Sequence, residues 1–390
     1  MIRRIEFSNF YSFKDTQKIS FLTHNKNSYD YFNSKSGDQI TKIATFIGGN
    51  ASGKTNIMRA FSFLAYFTTT KSKDEEIGEI AIPFKTFFNN DTKPSSFLLE
   101  FELDSKIFTY ELTLQKDSVK KESLLFKEMK LHSKPIVLFN RDLNEINRLN
   151  KRYFKNLKSS KLPKIRADIS FLPFIKSLYD IDIINKVFQY FDNFDSNINE
   201  KGQINIYPYQ VDAISLYEKN PEIKEQMLDI VKNFDIGLSS FEITKEAYQD
   251  KTVKYTVKGI HKTDSKENSL DFIYESRGTQ HLFFILAKIL KSLQSNGLAI
   301  IDEMEIGLHP EALNKLLTFF LDENEEKKAQ LIFTSQSLGI LNRLDMQQVF
   351  LVEKDSKGSS SLKRLKTRPD ENFLNKYLSG SYGAYPKIKI

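Results

Sequence analysis

The sequence of 390 residues predicts an α/β fold with a core sheet, an antiparallel β subdomain and a mostly helical insertion. Two observations predict this class. A short apolar run at 43–47, typical of a buried strand, leads through a glycine-rich loop into a segment of helical composition at 56–67. Apolar strands at 298–301 and 330–335 then alternate with predicted helices, as in sheets with helices on their faces.

The remaining β structure is predicted on both sides of the middle of the chain. Residues 1–22 are expected to form two strands around a turn, and the polar residues 24–41 are expected to form a loop. Three apolar runs within 97–126 are separated by turn sequences, which predicts an antiparallel meander. Later strands are predicted at 240–244, 254–260, 348–354 and 360–365.

The middle of the chain has helical spacing. Within 137–235, apolar residues recur at i, i+3 and i+4. We therefore expect residues 1–130 and 236–390 to form the α/β core, and residues 131–235 to form a mostly helical insertion. Further helices are expected near 279–295 and 311–321.

Composition limits the class of protein and its partners. The chain has no cysteine, which excludes disulfides and thiolate metal sites. There is no signal-peptide pattern or long apolar run, so we expect a cytoplasmic protein without a membrane partner. The net charge of +7 makes nucleic acid a possible partner. The basic segment 150–166 is either a solvated surface or a contact to a phosphate backbone.

One segment matches the phosphate-binding pattern G-x-x-x-x-G-K-[ST] without a gap. Its glycines allow positive φ and close approach of the backbone, so that successive N–H groups can surround phosphate oxygens. The lysine can neutralise β- and γ-phosphate charge, and the last hydroxyl can bind Mg²⁺. The residues are Gly48, Gly49, Asn50, Ala51, Ser52, Gly53, Lys54 and Thr55.

A second motif, LAIIDE, ends at Glu303. Four apolar strand residues place Asp302 and Glu303 at the carboxyl edge of the sheet, where open α/β sheets bind ligands. Asp302 is predicted to hold Mg²⁺ with Thr55, and Glu303 is predicted to act as general base on the attacking water.

A third motif, ESRGTQ at 275–280, precedes a predicted helix. Taken alone, Ser276 is an N-cap, and with Gly278 it is a second possible anion site. The order and spacing of the three motifs resemble those of an ABC-type ATPase. Together with IEFSNFYSFKD at 5–15 and YLSGSYGAYP at 377–386, they resemble the RecF, SMC and OLD branch of ABC ATPases.

The resemblance is most specific to the prokaryotic family known as AAA-fifteen. Asn56 after the phosphate loop is typical of this branch, the series Ser276 to Thr279 resembles the family's signature, and DEMEIGLHP at 302–310 resembles its Walker B segment. The resemblance implies an ABC-ATPase head that binds ATP and Mg²⁺ and forms an ATP-bridged homodimer or a higher oligomer. In it, Ser276 and Gly278 of one copy complete the γ-phosphate site of the other.

One position departs from the family. Gln336 stands where the family usually has histidine after the strand at 330–335. Glutamine can hydrogen-bond a phosphate or a water molecule but cannot take up a proton near neutral pH, so we expect slow hydrolysis. The alternative is that Gln336 does the work of the histidine unchanged. The predicted catalytic residues are therefore Glu303, Lys54 and Gln336.

Two functions follow from the resemblance. The first is an ATPase that regulates a separate effector, a nuclease or a toxin, in bacterial anti-phage defence of the Septu or PARIS type. Residues 338–390 are too few for a Toprim nuclease domain and contain no D-x-D, so the effector is expected on another chain. The alternative is a RecF-like ATPase that binds DNA for repair or recombination. His309 is either a packed loop residue or part of an interface.

Overall fold

The computed structural model describes most of the chain. The residues outside the description are 25–28, 71–81, 131, 156, 158–161, 200–201, 204–205, 235–236, 248–252, 264–265, 366–376, 378 and 380–390. The C-terminal motif at 377–386 therefore falls almost wholly outside the described residues, as does part of the basic segment 150–166.

An antiparallel sheet of seven strands forms the β subdomain. Its strands alternate buried and solvent-facing residues, because one face lies on the hydrophobic core. The predicted strand pair at 1–22 and the meander at 97–126 are confirmed. In spatial order the strands are β11 (Glu145–Leu149), β10 (Ile136–Asp142), β9 (Ser118–Glu128), β8 (Lys106–Gln115), β7 (Ser95–Leu103), β1 (Ile2–Ser8) and β2 (Gln17–Ser20).

A second sheet of six strands forms the core of the α/β fold. Five neighbouring strands are parallel and the last is antiparallel to its neighbour. In spatial order the strands are β12 (Phe194–Ser196), β18 (Leu298–Ile301), β19 (Gln330–Ser335), β6 (Ile43–Ile47), β20 (Val349–Lys354) and β21 (Ser360–Arg364).

Both faces of this core sheet are covered, because alternate strand residues enter two different hydrophobic cores. Ala44 and Ile300 lie in the core shared with the β subdomain and the first three helices. Ile43 and Ile301 lie in the core formed with the last four helices. The helices are α1 (Lys54–Thr69), α2 (Phe171–Leu178), α3 (Asp182–Asp192), α4 (Ile206–Lys219), α5 (Pro221–Phe234), α6 (Arg277–Ser295) and α7 (Pro310–Glu323).

Three small sheets complete the described β structure. One of them occupies the segment predicted as a loop at 24–41, where that prediction was wrong, since short strands pair there. The sheet before α6 carries the predicted strands at 240–244 and 254–260 and a third strand whose six residues are all exposed. The strands are β3 (Leu22–Thr23), β4 (Tyr31–Asn33) and β5 (Gln39–Thr41); β13 (Ile198–Asn199) and β14 (Gly202–Gln203); and β15 (Leu238–Ala247), β16 (Val253–Thr263) and β17 (Lys266–Asp271).

The predicted helical segment 137–235 needs one correction. Its first part forms two strands that continue the antiparallel sheet, because β10 pairs with the free edge of β9 and β11 pairs with β10. The rest is mainly helical as predicted, although β12 joins the core sheet beside β18. The α/β class with an antiparallel subdomain is confirmed, whereas the domain boundaries at residues 130 and 235 stay a prediction. In the described part of the chain, no helix is long and apolar enough to cross a membrane.

Candidate nucleotide-binding site

The phosphate loop connects β6 to α1. Gly48 needs to be glycine because a Cβ there would lie 2.2 Å from the carbonyl oxygen of Val352 on the neighbouring strand. Gly53 has a φ of 114°, which favours glycine, and a Cβ there would lie 2.6 Å from Oγ of Ser360. Ala51 also has a positive φ, of 59°. Close packing on protein atoms thus accounts for Gly48 and Gly53, and the predicted approach of the loop to phosphate oxygens stays a prediction.

Lys54 is the first residue of α1 and lies under the loop. Its Nζ donates hydrogen bonds to the carbonyl oxygens of Gly48, at 2.8 Å, and Gly49, at 3.0 Å. Burial lowers the pKa of Lys54, and the carboxylates of Asp302, Glu305 and Glu303 oppose this shift. A buried ammonium group inside a loop of backbone donors is suited to a phosphate anion.

Asp302 joins the ends of three elements. Its Oδ2 accepts a hydrogen bond from the Thr55 hydroxyl at 2.9 Å, and its Oδ1 accepts one from the Thr334 hydroxyl at 2.7 Å. The Asn197 side chain holds its backbone by accepting from the N–H and donating to the carbonyl. Burial raises the pKa of Asp302, while the two hydroxyl donors lower it.

The pair of Thr55 and Asp302 fits a magnesium ion. The two side chains supply hydroxyl and carboxylate oxygens, which Mg²⁺ prefers, and Mg²⁺ in nucleotide sites takes few protein ligands because phosphates and water supply the others. The described residues contain no cluster of three or more His, Asp or Glu groups that could hold a metal without such help.

Glu303 follows in a constrained conformation. Its φ is 53°, in the left-handed region that bulky residues rarely adopt. Its N–H donates to Oγ1 of Thr334 at 2.8 Å, so one hydroxyl holds both acidic residues. Backbone strain of this kind persists where the surroundings fix it, and it is often found at functional sites.

Gln336 lies at the end of β19, on the same side as the two acidic residues. Its backbone N–H donates to Oε1 of Glu305 at 2.5 Å. Glu305 thus holds the backbone of Gln336 in place, and the amide side chain of Gln336 lines the cavity described next.

An open cavity of about 420 Å³ lies between these groups. It is bounded by the whole loop from Asn50 to Asn56 and by both acidic residues. The sequence did not point to Lys354, at the end of β20, which adds a second cation to the rim. The lining residues are Asn50, Ala51, Ser52, Gly53, Lys54, Thr55, Asn56, Asp302, Glu303, Gln336 and Lys354.

Three polar side chains hold the loop from behind. The Asn56 amide donates to Oγ of Ser12 at 2.8 Å, and its oxygen accepts from Arg59. The hydroxyl of Ser360 donates to the carbonyl oxygen of Ser52 at 2.6 Å and lies 2.8 Å from Oγ of Ser12. The Asn56 side chain thus bonds to protein groups, and its predicted contact with nucleotide stays a prediction.

The residues of the ESRGTQ motif lie apart from this cavity. Ser276 caps α6, with its Oγ accepting from the N–H of Thr279 at 3.1 Å. Gly278 packs so closely on Gly307 that a Cβ would lie 2.5 Å from the Gly307 carbonyl oxygen. Neither Ser276 nor Gly278 lines the cavity of its own chain.

Arg277, between them, is exposed at the start of α6. The first turn of this helix contains no acidic residue, so the helix dipole opposes the charge of the guanidinium group. Among the described residues, no ion pair or hydrogen bond compensates it. The exposed cation is therefore placed against local electrostatics.

The structure decides one of the two alternatives that the sequence left open for His309. His309 is exposed and caps α7, with Nδ1 accepting from the N–H of Glu311 at 3.2 Å, so it is not a packed interior residue. A role at an interface stays a prediction.

Comparison with known proteins gives the class. Residues 43–342 match the model of the family AAA_21, described as "AAA domain, putative AbiEii toxin, Type IV TA system", and the chain belongs to this family. The model found is thus AAA_21 rather than the AAA-fifteen family whose motifs the sequence resembles. No curated protein matches the chain.

Solved structures of SMC head domains are similar in fold. An SMC head bound to the C-winged helix domain of ScpA is 11% identical with a TM-score of 0.50, over 94% of this chain and 98% of that one. The SMC head of Thermotoga maritima is 12% identical with a TM-score of 0.43, over 94% and 99%. A Pyrococcus furiosus SMC head bound to a domain of ScpA is 12% identical with a TM-score of 0.46, over 98% of each chain. Membership of AAA_21 makes the chain an AAA-domain P-loop ATPase, and the first of these structures shows that its fold is similar to that of an SMC head domain.

Proposed function

We propose that this chain binds ATP and Mg²⁺ between two copies of itself, hydrolyses ATP slowly, and thereby controls a separate effector in bacterial defence against phage. The observation that carries the ATPase part is the direct hydrogen bond of 2.9 Å between Thr55 and Asp302. It brings the two nucleotide motifs, far apart in sequence, to one point in the cavity.

The residues of the cavity have distinct roles in this proposal. The loop N–H groups and Lys54 bind the phosphates, because successive donors and a cation match their negative charge. Thr55 and Asp302 hold Mg²⁺, which neutralises phosphate charge when bound. Glu303 accepts a proton from the attacking water, and its fixed backbone orients its carboxylate.

Hydrolysis is slow because Gln336 takes the position of a proton acceptor. The amide can orient water or a phosphate oxygen by hydrogen bonds, but it has no ionisable group near neutral pH. Such an ATPase remains in its ATP-bound state for long periods, which suits a switch better than a motor.

A second copy supplies the remaining part of the site. Ser276, Arg277 and Gly278 lie outside the cavity of their own chain and are wholly or partly exposed. In the proposed assembly they face the γ-phosphate bound by the partner copy. The Arg277 charge, unfavourable at the start of a helix in the single chain, is then neutralised by phosphate.

The defence role rests on the family. The description of AAA_21 calls the AAA domain a putative AbiEii toxin of a type IV toxin–antitoxin system, which supports a role in such a system over the RecF-like alternative of DNA repair. The effector is a protein on another chain, encoded nearby, and the setting is the bacterial cytoplasm.

Co-purification tests this regulatory part. The chain is expressed with the products of its adjacent genes, and captured partners are identified with and without ATP and Mg²⁺. A nuclease or toxin retained by wild-type chain but released or altered by Lys54→Ala supports the proposal. Retention of repair proteins together with ATP-dependent DNA binding supports the RecF-like function instead.

A further inference from the structure

Two exposed apolar tips lie beside the two separated parts of the nucleotide site. The first is the signature loop, defined as residues 272–278. Within it, Ile273 is 76% exposed and Tyr274 is 73% exposed, immediately before Ser276. Large apolar side chains with this exposure next to a functional motif suggest an interaction surface rather than chance.

The signature loop is held firmly, so its exposed tip has a defined position. Nε2 of Gln280 lies within 3.0 Å of the carbonyl oxygens of Phe272, Ile273 and Glu275. The buried Glu275 carboxylate contacts Nε2 of His261 on β16 at 2.9 Å. Because these hydrogen bonds already fix the loop, the exposed Ile273 and Tyr274 would lose little conformational entropy on binding a partner.

The second tip is the Phe88 turn, defined as residues 86–93. Phe88 is 72% exposed and has a φ of 47°, which is unusual for an aromatic residue. The buried Asn9 side chain fixes this turn, because it accepts from the N–H of Phe87 and donates to the carbonyl oxygens of Asn90 and Lys93. Here too, one amide side chain holds an exposed ring in place.

The Phe88 turn lies beside the phosphate-loop part of the site. The Phe88 ring contacts Gly358, where a Cβ would lie 2.8 Å from the ring. Gly358 is in the turn between β20 and β21. The same hairpin contributes Lys354 to the cavity rim and Ser360 to the carbonyl of Ser52.

We propose that the Phe88 turn of one copy packs against Ile273 and Tyr274 of a second copy, and that this apolar contact aligns the composite nucleotide site. The proposal rests on the ATP-bridged assembly described above. In a two-fold dimer, a contact between two different patches occurs twice, once on each side of the axis. The Phe88 turn beside the phosphate loop and the exposed residues of the signature loop are two such different patches. In the proposed dimer, each of the two contacts between them lies beside one bound nucleotide.

Cross-linking tests the contact directly, because the chain has no cysteine of its own. On the Glu303→Gln background, one chain carries Phe88→Cys and a second, tagged chain carries Tyr274→Cys. The two are mixed with ATP and Mg²⁺ and treated with a short bismaleimide. We expect a cross-linked heterodimer that exceeds the yield without ATP by about tenfold or more, because held thiols have a high effective concentration.

The matched control replaces Tyr274→Cys by Leu178→Cys, at an exposed apolar residue of α2. If the mass doubles with ATP but Phe88→Cys cross-links no better to Tyr274→Cys than to Leu178→Cys, the assembly exists and this contact is wrong. If ATP leaves the mass of the unsubstituted Glu303→Gln chain unchanged, the ATP-bridged assembly itself is wrong.

A substitution that removes apolar area gives an independent measurement. The double variant Ile273→Ser with Tyr274→Ser, again with Glu303→Gln, is expected to bind ATP as a single chain with unchanged affinity. Its dimer dissociation constant with ATP should rise about tenfold or more, as for the truncation of central aromatic contacts. The variant Leu178→Ser should leave this constant unchanged. Equal dissociation constants for the two variants would overturn the proposal.

Discussion

The phosphate-loop part and the signature part of the site differ in how far their own chain completes them. The first is closed by internal bonds: Asp302 has hydroxyl partners on both carboxylate oxygens, and Lys54 is buried beneath its loop. The second has an equally firm backbone but turns Ser276 and Arg277 to solvent. The signature part therefore has a fixed backbone and an exposed Arg277 that is unpaired among the described residues, as the proposed second copy would require.

The difference between the two parts of the site predicts separate effects on nucleotide binding and on ATP turnover. Changes in the phosphate-loop part should weaken nucleotide binding by a single chain. Changes in the signature part should leave that binding intact and act only on the assembled site.

The largest effect is expected for Lys54→Ala. Loss of the buried ammonium group removes the positive charge that neutralises the phosphates, so ATP affinity should fall by about 100-fold or more. Titration with a fluorescent ATP analogue measures it. The control is Lys354→Ala, which removes the other lysine of the cavity from its exposed rim and should weaken binding far less. Similar losses for both lysines would contradict the distinct role of Lys54.

The next largest effect is expected for Arg277→Ala in the signature part. Turnover should fall by about 100-fold, because a cation supplied in trans stabilises the charge of phosphoryl transfer. ATP binding by the single chain should stay within about twofold of wild type, since the residue lies outside its own cavity. Steady-state phosphate release and the same titration measure the two quantities. The variant Arg277→Lys keeps the charge and should recover part of the rate.

A smaller effect is expected for Thr334→Val. Its hydroxyl donates to Asp302 and accepts from the N–H of Glu303, so the substitution leaves buried polar groups without partners. The free energy of unfolding should fall by about 1–3 kcal/mol, measured by urea denaturation. Thr334→Ser keeps both hydrogen bonds and should retain most of the stability; equal losses for the two variants would show that the methyl group, not the hydroxyl, matters.

The smallest effect is expected for Gln336→His. A proton acceptor at this position should raise the turnover number several-fold, with ATP affinity little changed. Single-turnover and steady-state kinetics together show whether the chemical step has changed. An unchanged turnover number would mean that glutamine already does the work of the histidine.

Local sequence predicted the parts of the site that are contiguous. The phosphate loop, the acidic pair and the α6 start are each short segments whose residue types carry their own chemistry. The residues that the sequence missed are brought in by tertiary structure. Asn197 is 105 residues from Asp302 in sequence, and Ser360 is 308 residues from Ser52. Nothing in the residues near either polar side chain indicates its distant partner.

The strands that the sequence analysis did not predict were missed for similar reasons. Residues 136–142 form a strand because the edge of β9 offers hydrogen bonds, and residues 145–149 pair with that new strand in turn. This pairing overrides a spacing that also suits a helix. The strand β12 has three residues, too few to show any period. The two strands within 24–41 are equally short and stand in a mainly polar segment, and only their pairing reveals them.

The central claim is that a complete site needs two copies of the chain, and the mass of Glu303→Gln with and without ATP tests it most directly. This variant should bind ATP but not hydrolyse it, so the assembled state accumulates. Light scattering should give the mass of one chain, 45.4 kDa, without ATP and about twice that with ATP and Mg²⁺. Adding Lys54→Ala should abolish the change. A mass of one chain at saturating ATP would contradict the account.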